Sequence, residues 1–425
     1  MVEYENLEAC SEIVEEKDEQ KGGFFDFFWA PIDWFKMLAN ETHWSFVFGV
    51  LSVYGVNQGL GGAFNRVGTD YYMKDVQKVQ PSESQVYQGI TAIPWLVKPL
   101  WGLLTDVIPI FGYRRRPYFI FAGLLGVVSM LLLSFHENLH IVFALLSLTA
   151  GSASAAIADV TIDACVAQNS NTRPSLAADM QSLCAFSSSI GALMGFSLSG
   201  IFVHLIGPKG VFGLLSIPAG LVLLVGILLD EPFLPDFSYR QVKQKFVDAG
   251  KAMWRTLKFP DVWRPCIYMY LSLAMSVNIH EGLFYWYTDS KGGPSFSQCL
   301  SDDCKAKVDA SSCAQFQALP PGIEGTFFAL LMSIDNVGLL SSQWAGGIVL
   351  HFLNVTRTRF DNLWLAIITR NILRVTPLFL LFLIPRGDPN ASILPTEILG
   401  EKQTAETPEN KNIELVSLVS SDDGK

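Results

Sequence analysis

The sequence has little charge for its length. Only 16% of its 425 residues are charged, half are hydrophobic, and the mean hydropathy is +0.31. Soluble domains carry about 25% charged residues and do not need this much apolar surface. The composition therefore excludes an ordinary soluble protein and indicates a chain that lies largely in a lipid bilayer.

The sequence also lacks the motifs of a metal or cofactor site. Its seven cysteines include no CxxC pair, and the cluster Cys299, Cys304 and Cys313 matches no zinc module. Residues 136–140 read HENLH, but they fall at a turn between two apolar segments, whereas a zinc protease needs both histidines on one helix face and a third ligand. We expect no metal, no cofactor, no enzymatic activity and no nucleic-acid partner.

The N-terminal region does not resemble a targeting segment. Residues 1–20 hold eight acidic side chains and one lysine, unlike an acid-poor transit peptide, and no apolar signal peptide precedes Trp44. The aromatic stretch 23–38 is expected to lie at the membrane interface. We therefore assign residues 1–43 to an acidic cytoplasmic tail with an interfacial segment, and residues 386–425 to a second polar, acidic tail.

Nine apolar segments are long enough to cross roughly 30 Å of hydrocarbon, which takes about 20 helical residues. They are Trp44–Phe64, Tyr87–Val107, Pro117–Phe135, Ile141–Val160, Ser182–Leu205, Val211–Leu229, Cys266–Tyr287, Thr326–Phe352 and Leu363–Ile384. The sequence therefore predicts an all-α, polytopic membrane protein.

Basic loops predict its orientation. Three arginines, Arg114–Arg116, follow the second segment, and the stretch 230–264 after the sixth contains seven lysines or arginines. Short cytoplasmic loops are enriched in these residues, so both loops and the N-terminus are expected in the cytoplasm. A six-helix bundle over 44–229, a basic linker over 230–264 and a second bundle over 265–385 make the two-bundle plan of a secondary transporter.

Several runs of residues carry a more specific resemblance. IPWLVKPLWGLLTD, FGYRRRPYFI, ADVTIDACVAQNS and YMYLSLAMSVNIHEGLFYWYTD are similar to the plant branch of the folate-biopterin transporter family. The resemblance covers Val47–Gln298 and resumes over Pro320–Leu399. That family belongs to the major facilitator superfamily, so the resemblance implies twelve helices in two halves, alternating access, and uptake of folates or related pterins together with protons.

Ionisable side chains inside the apolar segments are the main site candidates, because such groups are costly there and mark functional positions. Lys98 lies in the second segment, and Asp159 and Asp163 are four residues apart on one helix face. We expect Lys98 to pair with a folate carboxylate and the aspartates to accept pterin N–H groups. Because neighbouring carboxylates repel each other, either aspartate is also a candidate proton acceptor. A structural ion pair between Lys98 and one aspartate is the alternative.

A third polar patch lies in the segment Cys266–Tyr287. Asn278 and Glu281, three residues apart, are predicted to share a helix face and to contact substrate, while His280 points elsewhere. This patch belongs to the second bundle, so it would face the first across a central cavity.

Arginines carry two further predictions. Arg370 and Arg374 share a face of the last segment and could hold a folate carboxylate, or equally neutralise Asp335. Asp106, at the cytoplasmic end of the second segment, is expected to pair with Arg114, Arg115 or Arg116 as a gate that breaks when the halves move apart. Simple anchoring of the loop is the alternative role of the arginines.

The segment Cys299–Leu319 departs from the family, because it is polar and too short to span the bilayer where the family has three helices. About nine helices are therefore expected. One consequence is that the last two helices are inverted relative to the family; the alternative is that they keep the family orientation and Cys266–Tyr287 fails to insert. Two functions follow: a folate or pterin transporter, or a non-transporting protein. The second would be a truncated isoform, a regulatory or interaction protein, or the product of faulty splicing or gene prediction.

Overall fold

The computed structural model describes residues 24–136, 139–233, 247, 250–251, 254–288 and 324–384. The predictions made for Cys299–Leu319, for the start of the N-terminal tail and for the C-terminal tail lie outside these residues. Every regular element in the described part is a helix. Contacts divide the chain into residues 1–48 and 49–425. The first unit contains helix α1 (Phe24–Thr42), and all candidate site residues belong to the second.

The N-terminal part of the second unit is built from long helices. Helix α2 runs over 44–76 as Trp44–Val50, Leu51–Leu60, Gly61–Tyr71 and Tyr72–Val76, and its first five residues belong to the first unit. Next come α3 (Pro81–Thr91, Ile93–Leu96 and Lys98–Val107), α4 (Arg116–Phe135), α5 (Ile141–Thr172) and the stretch Ala177–Leu228. The helices are longer than the predicted apolar segments because their polar ends are helical too.

The stretch Ala177–Leu228 contains two helices. Its 52 residues would extend about 78 Å as one straight helix, more than twice the hydrocarbon thickness. Gly207 interrupts the stretch with a φ of +72° and Pro208 follows it. Glycine adopts this left-handed conformation without a steric penalty. We therefore treat residues 177–206 as α6 and residues 208–228 as α7.

The C-terminal part begins with a broken helix. Helix α8 consists of Pro260–Ala274 and His280–Thr288, and residues 275–279 between them belong to neither helical segment. It is followed by α9 (Glu324–Phe352) and by α10, which is Leu363–Val375 continued by a 3₁₀ turn over Thr376–Leu383. Helix α9 packs closely on the break: the N–H of Asn278 donates to the Ser342 carbonyl at 3.2 Å, and a side chain at Gly346 would collide with the Asn278 carbonyl.

Among the described residues, four helical stretches are long and apolar enough to cross a membrane by themselves. They are Arg116–Phe135, Ile141–Thr172, Pro174–Leu228 and Leu363–Leu383. The third of these stretches contains both α6 and α7. With α2, α3, α8 and α9, the described part accordingly has the nine helices that the apolar segments predict.

Helix α3 is interrupted twice, at Ala92 and at Val97, and each new helical segment has a proline in its first turn. Proline has no N–H and is favoured in the first turn of a helix, so both prolines suit a restart of the helix at these points. The second restart begins at Lys98. Between the breaks, the carbonyl of Trp95 accepts a hydrogen bond from Asn336 Nδ2 of α9 at 3.1 Å.

Contacts fix the direction of α9. Along α3 and α9, Asn336 meets Trp95 and Trp344 meets Gly89, so these two helices are antiparallel. Along α8 and α9, Tyr270 lies beside Ser341, whereas Gly282 lies beside Leu350. Helices α8 and α9 are therefore parallel.

The predicted inversion of the last two helices is wrong in this structure. Two consecutive spans would be antiparallel, whereas α8 and α9 run in the same direction. The alternative, in which Cys266–Tyr287 fails to insert, disagrees with the packing of this segment against α3, where Glu281 of α8 accepts a hydrogen bond from Ser84 at 2.8 Å. The contacts of α9 with α3 and α8 favour the orientation expected for the family. They disfavour the orientation obtained when successive spans of this chain simply alternate in direction.

Candidate functional site

A buried ion cluster joins α3 to α5. The Lys98 ammonium forms ion pairs with Asp159 and, at 3.5 Å, with Asp163. Lys98 and Asp159 are each only 4% exposed. The break in α3 puts Lys98 at the start of a helical segment, and the spacing of four residues puts both aspartates on the same face of α5. The structure therefore brings together the three residues that the sequence selected.

Two residues of α2 complete this cluster. The Tyr54 hydroxyl donates to Asp163 Oδ1, and Gln58 Nε2 donates to Asp159 Oδ1. Each carboxylate therefore has one neutral donor in addition to the shared lysine. Tyr54 and Gln58 were not among the residues predicted from the sequence.

A cavity of about 330 Å³ lies next to the ion cluster, with Gln58 and Trp95 in its wall. The Lys98 ammonium lies 5.6 Å from the centre of the Trp95 ring, within cation–π distance. Asn57 and Asn65 of α2 also line the cavity, and Asn57 Nδ2 and Asn65 Oδ1 are buried without a hydrogen-bond partner among the described residues. Such a wall offers neutral donors and acceptors and one aromatic face.

A second cavity, of about 290 Å³, has a cationic wall. Its basic lining residues are Arg66, Arg370, Arg374 and His280, and its neutral polar residues are Ser276, Asn278 and Ser342. The guanidinium of Arg374 donates to Ser276 Oγ at 3.0 Å. The structure therefore places the two predicted arginines and Asn278 in one cavity, and it adds Arg66 from α2, which the sequence analysis did not select.

Glu281 lies in a different group, with Asp70 of α2 and His280. His280 Nε2 is 3.0 Å from Asp70 Oδ2, and Gln88 Nε2 donates to Asp70 Oδ1 at 2.6 Å and also to Glu281 Oε1. The prediction that Asn278 and Glu281 share a face while His280 points elsewhere is wrong. The helix starts only at His280, so helical spacing does not extend back to Asn278.

The predicted gate residues lie where α3 and α7 end and α4 begins. Arg115 Nη2 is 2.7 Å from Asp106 Oδ1. The backbone N–H groups of Arg114, Arg115 and Arg116 all donate to the carboxylate of Glu231, at 2.7 to 3.0 Å. Successive N–H groups around one anion form a nest. Glu231 was not among the predicted gate residues.

The Arg116 side chain binds the end of α7, where it donates hydrogen bonds to the carbonyls of Gly226 and Ile227. Basic side chains stabilise helix C-termini by binding the last carbonyl groups. The contacts described here for the arginine loop thus join three helices of the N-terminal bundle.

The broken helices, the buried ion cluster and the internal polar cavities define a polytopic helical membrane protein of the transporter class. The sequence model of the BT1 family matches residues 58–306 and 317–397. The chain therefore belongs to the BT1 family.

Its relatives are named as transporters. The chain is 52% identical to "Probable folate-biopterin transporter 2" of Arabidopsis thaliana, over 97% of this chain and 99% of the relative. It is 48% identical to "Probable folate-biopterin transporter 5" of the same plant, over 92% and 93%. It is 26% identical to the "Folate-biopterin transporter" of Synechocystis sp., over 83% and 84%.

The first alignment also shows that this chain lacks positions that the relative has. It occupies 496 positions, whereas 97% of the 425-residue chain is about 412 residues, so roughly 80 positions of the relative have no counterpart. That length corresponds to about three helices with their loops. The family match is itself interrupted at residues 307–316, inside the polar segment that the sequence analysis singled out.

Proposed function

We propose that the chain binds folates or related pterins in its two cavities and transports them by alternating access coupled to protons. The observation that carries this proposal is that two adjacent residues of α2 line two cavities of different charge. Asn65 lines the neutral amide cavity and Arg66 lines the cationic one. A folate has the same contrast between its neutral pterin ring and its carboxylate end.

The neutral cavity suits the pterin ring. A flat heterocycle with ring N–H and amino groups needs amide partners and an aromatic face, and Asn57, Gln58, Asn65 and Trp95 provide them. Asn57 and Asn65 would gain hydrogen bonds that they lack in this structure. The cavity volume of about 330 Å³ lies at the lower end of the range for small-molecule sites.

The cationic cavity suits carboxylates. Guanidinium groups bind carboxylates through paired, charge-assisted hydrogen bonds, which are about twice as strong as neutral ones. Arg66 comes from the N-terminal bundle, whereas Arg370 and Arg374 come from α10. A carboxylate bound here would connect the two bundles, so its binding and release would be linked to their relative movement.

Asp159 and Asp163 are the proposed proton carriers of the ion cluster. The two carboxylates share a single lysine, so uptake of one proton would make the cluster neutral. Asp106 and Arg115 would act as the gate, with the arginine loop and the N-terminus in the cytoplasm. Both assignments rest on the position of these charges relative to the cavities and to the ends of the helices.

The alternative is a non-transporting membrane protein. It is favoured by the roughly 80 missing positions, since alternating access needs two bundles that move against each other. Such a chain could still bind a ligand in the cavities, because their described walls come from α2 to α10.

Uptake and binding measured in parallel separate these functions. Labelled folate is offered to transport-deficient cells that express this chain, or the same chain with the missing segment of its relative inserted. We expect uptake that Lys98→Ala and Asp159→Asn both abolish without loss of protein from the membrane. Binding without uptake, with uptake only after the insertion, would support the alternative. If neither chain binds folate, the cavities serve neither folate transport nor folate binding, and both proposals are refuted.

A further inference from the structure

A second pair of buried carboxylates lies where the two bundles meet. Asp70 belongs to α2 and is 3% exposed, whereas Glu281 belongs to α8 and is fully buried. One oxygen of each carboxylate and a ring nitrogen of His280 lie within 4.8 Å of one another. Gln88 of α3 donates from the same nitrogen to both carboxylates.

The pair has little compensating charge. Among the described residues, His280 is the only basic side chain within 4.0 Å of either carboxylate. The other charged or titratable groups act on the pair from longer range: they are Arg66 and Tyr71 of α2 and Tyr285 of α8. Arg357, in the turn after α9, acts on Tyr285. The facing residues of α3 are the neutral Ser84, Gln85 and Gln88. Two adjacent carboxylate charges buried in this way would repel each other strongly.

The pair also adjoins a polar group with no partner. Gln85 is fully buried, and its Oε1 accepts the Glu281 N–H at 3.1 Å. Its Nε2 is a buried donor without a hydrogen-bond partner among the described residues. His280 meanwhile lines the cationic cavity while its Nε2 faces Asp70. The pair is thus connected through His280 to the space in which the proposed ligand carboxylate would lie.

We propose that Asp70 and Glu281 share one proton and that this shared proton holds the two bundles together at this end. On opening, the proton passes from the carboxylic acid to the His280 imidazole, which leaves two carboxylates and one imidazolium. The hydrogen bond shared by the two carboxyl groups is then lost and their charges repel each other, whereas the imidazolium stays paired with Asp70. The coupling of this step to transport rests on the function proposed above, but the shared proton does not.

The donors around the pair favour a proton over a metal ion. Gln88 presents an N–H group between the two carboxylates, and Ser84 donates to Glu281 Oε2 at 2.8 Å. Hard cations such as Mg²⁺ and Ca²⁺ require about six or more oxygen ligands that point inwards as acceptors. A donor between the carboxylates occupies the place where such an ion would bind, whereas it leaves room for a hydrogen shared by two oxygens.

Infrared spectroscopy of the purified chain in lipid nanodiscs tests the shared proton without any transport. A protonated carboxyl group has its own carbonyl stretch, which a carboxylate lacks. We expect that Glu281→Gln and Asp70→Asn each remove the absorption of one carboxylic acid at neutral pH. Asp361→Asn, a change at an exposed side chain in the α9–α10 turn, should leave the carboxylic-acid absorption unchanged.

Three results would overturn the proposal. The first is a wild-type chain without any protonated carboxyl absorption at neutral pH, which can be measured even if no variant folds. The second is an unchanged absorption in either Glu281→Gln or Asp70→Asn. The third is thermal stabilisation by Mg²⁺, Ca²⁺ or Mn²⁺ that Glu281→Gln abolishes, because a metal ion would then occupy the pair.

If the chain transports, the same variants give a second readout. Glu281→Gln should retain exchange of labelled for unlabelled folate across the membrane and should lose accumulation driven by a proton gradient. Loss of exchange and accumulation together, with binding intact, would show that Glu281 only holds the structure together. Failure of the wild-type chain to transport would count against the proposed function and would leave the infrared result to decide the shared proton.

Discussion

Replacing Lys98 by methionine removes the positive charge of the ion cluster and keeps a side chain of similar length. Asp159 and Asp163 would then face each other in a buried site with only Gln58 and Tyr54 as donors. Removing one partner of a buried ion pair costs about 3–5 kcal/mol, because the remaining charge has no compensation. We therefore expect Lys98→Met to lower the free energy of unfolding by this amount.

The assay is denaturant-induced unfolding of the purified chain in mixed micelles. Lys36→Met is the matched control, because Lys36 pairs with Asp33 at 3.3 Å but both side chains are about two-thirds exposed (67% and 68%). An exposed pair of this kind contributes about 0–1 kcal/mol. The destabilisation by Lys98→Met should shrink at low pH, since protonated aspartates no longer need a counter-charge. Adding Asp159→Asn to Lys98→Met should restore part of the stability.

Equal effects of Lys98→Met and Lys36→Met would refute this reasoning, since they would mean that the cluster is solvated. If Lys98→Met lowers stability as expected and the double variant recovers both stability and uptake, Lys98 has only a structural role. If stability recovers and uptake does not, the lysine acts on the substrate or on the proton.

Three other predictions test the cavity and the packing of α9. Arg370→Gln should weaken folate binding about 10-fold or more, as expected for loss of a charge-assisted hydrogen bond of about 1.5–3 kcal/mol. It should leave the binding of an unconjugated pterin unchanged. A fluorescence titration measures both affinities, and Arg359→Gln, at an exposed arginine, is the control. Gly346→Ala should destabilise the chain by about 1–3 kcal/mol because the new methyl group meets a carbonyl of α8, whereas Gly220→Ala, with no atom within 4 Å of the new methyl group, should not. Asp361→Cys should react with a membrane-impermeant thiol reagent from the non-cytoplasmic side, beyond the labelling of the parent chain; protection on that side and reaction on the other would contradict the direction of α9.

The ion cluster could be predicted because lysine and aspartate are conspicuous in apolar segments. Lys98, Asp159 and Asp163 were selected on this ground, and the structure brings them together. Tyr54 and Gln58 are neutral, and such residues occur in many helices without any role, so they gave no comparable signal. Their importance depends on what lies opposite them, which only the packing of α2 against α5 reveals.

The errors arose at breaks and connections. Helical spacing placed His280 away from Glu281, but α8 restarts at His280, and both residues reach Asp70. Counting spans along the chain predicted that α9 would be inverted. The contacts of Tyr270 with Ser341 and of Gly282 with Leu350 require the opposite direction. Periodicity and span counting both assume an uninterrupted chain, and this chain departs from that assumption next to Lys98 and at His280, two of its candidate site residues.

The interrupted helix α3 has a mechanical consequence. Its Trp95 carbonyl is bound by Asn336 of α9, and Lys98 follows only three residues later, beyond the break at Val97. A continuous helix would resist bending there, whereas a chain that restarts twice within six residues can pivot. A displacement of α9 would therefore bend α3 at the break beside Lys98. Movement of the C-terminal helices could in this way shift the lysine charge inside the N-terminal bundle.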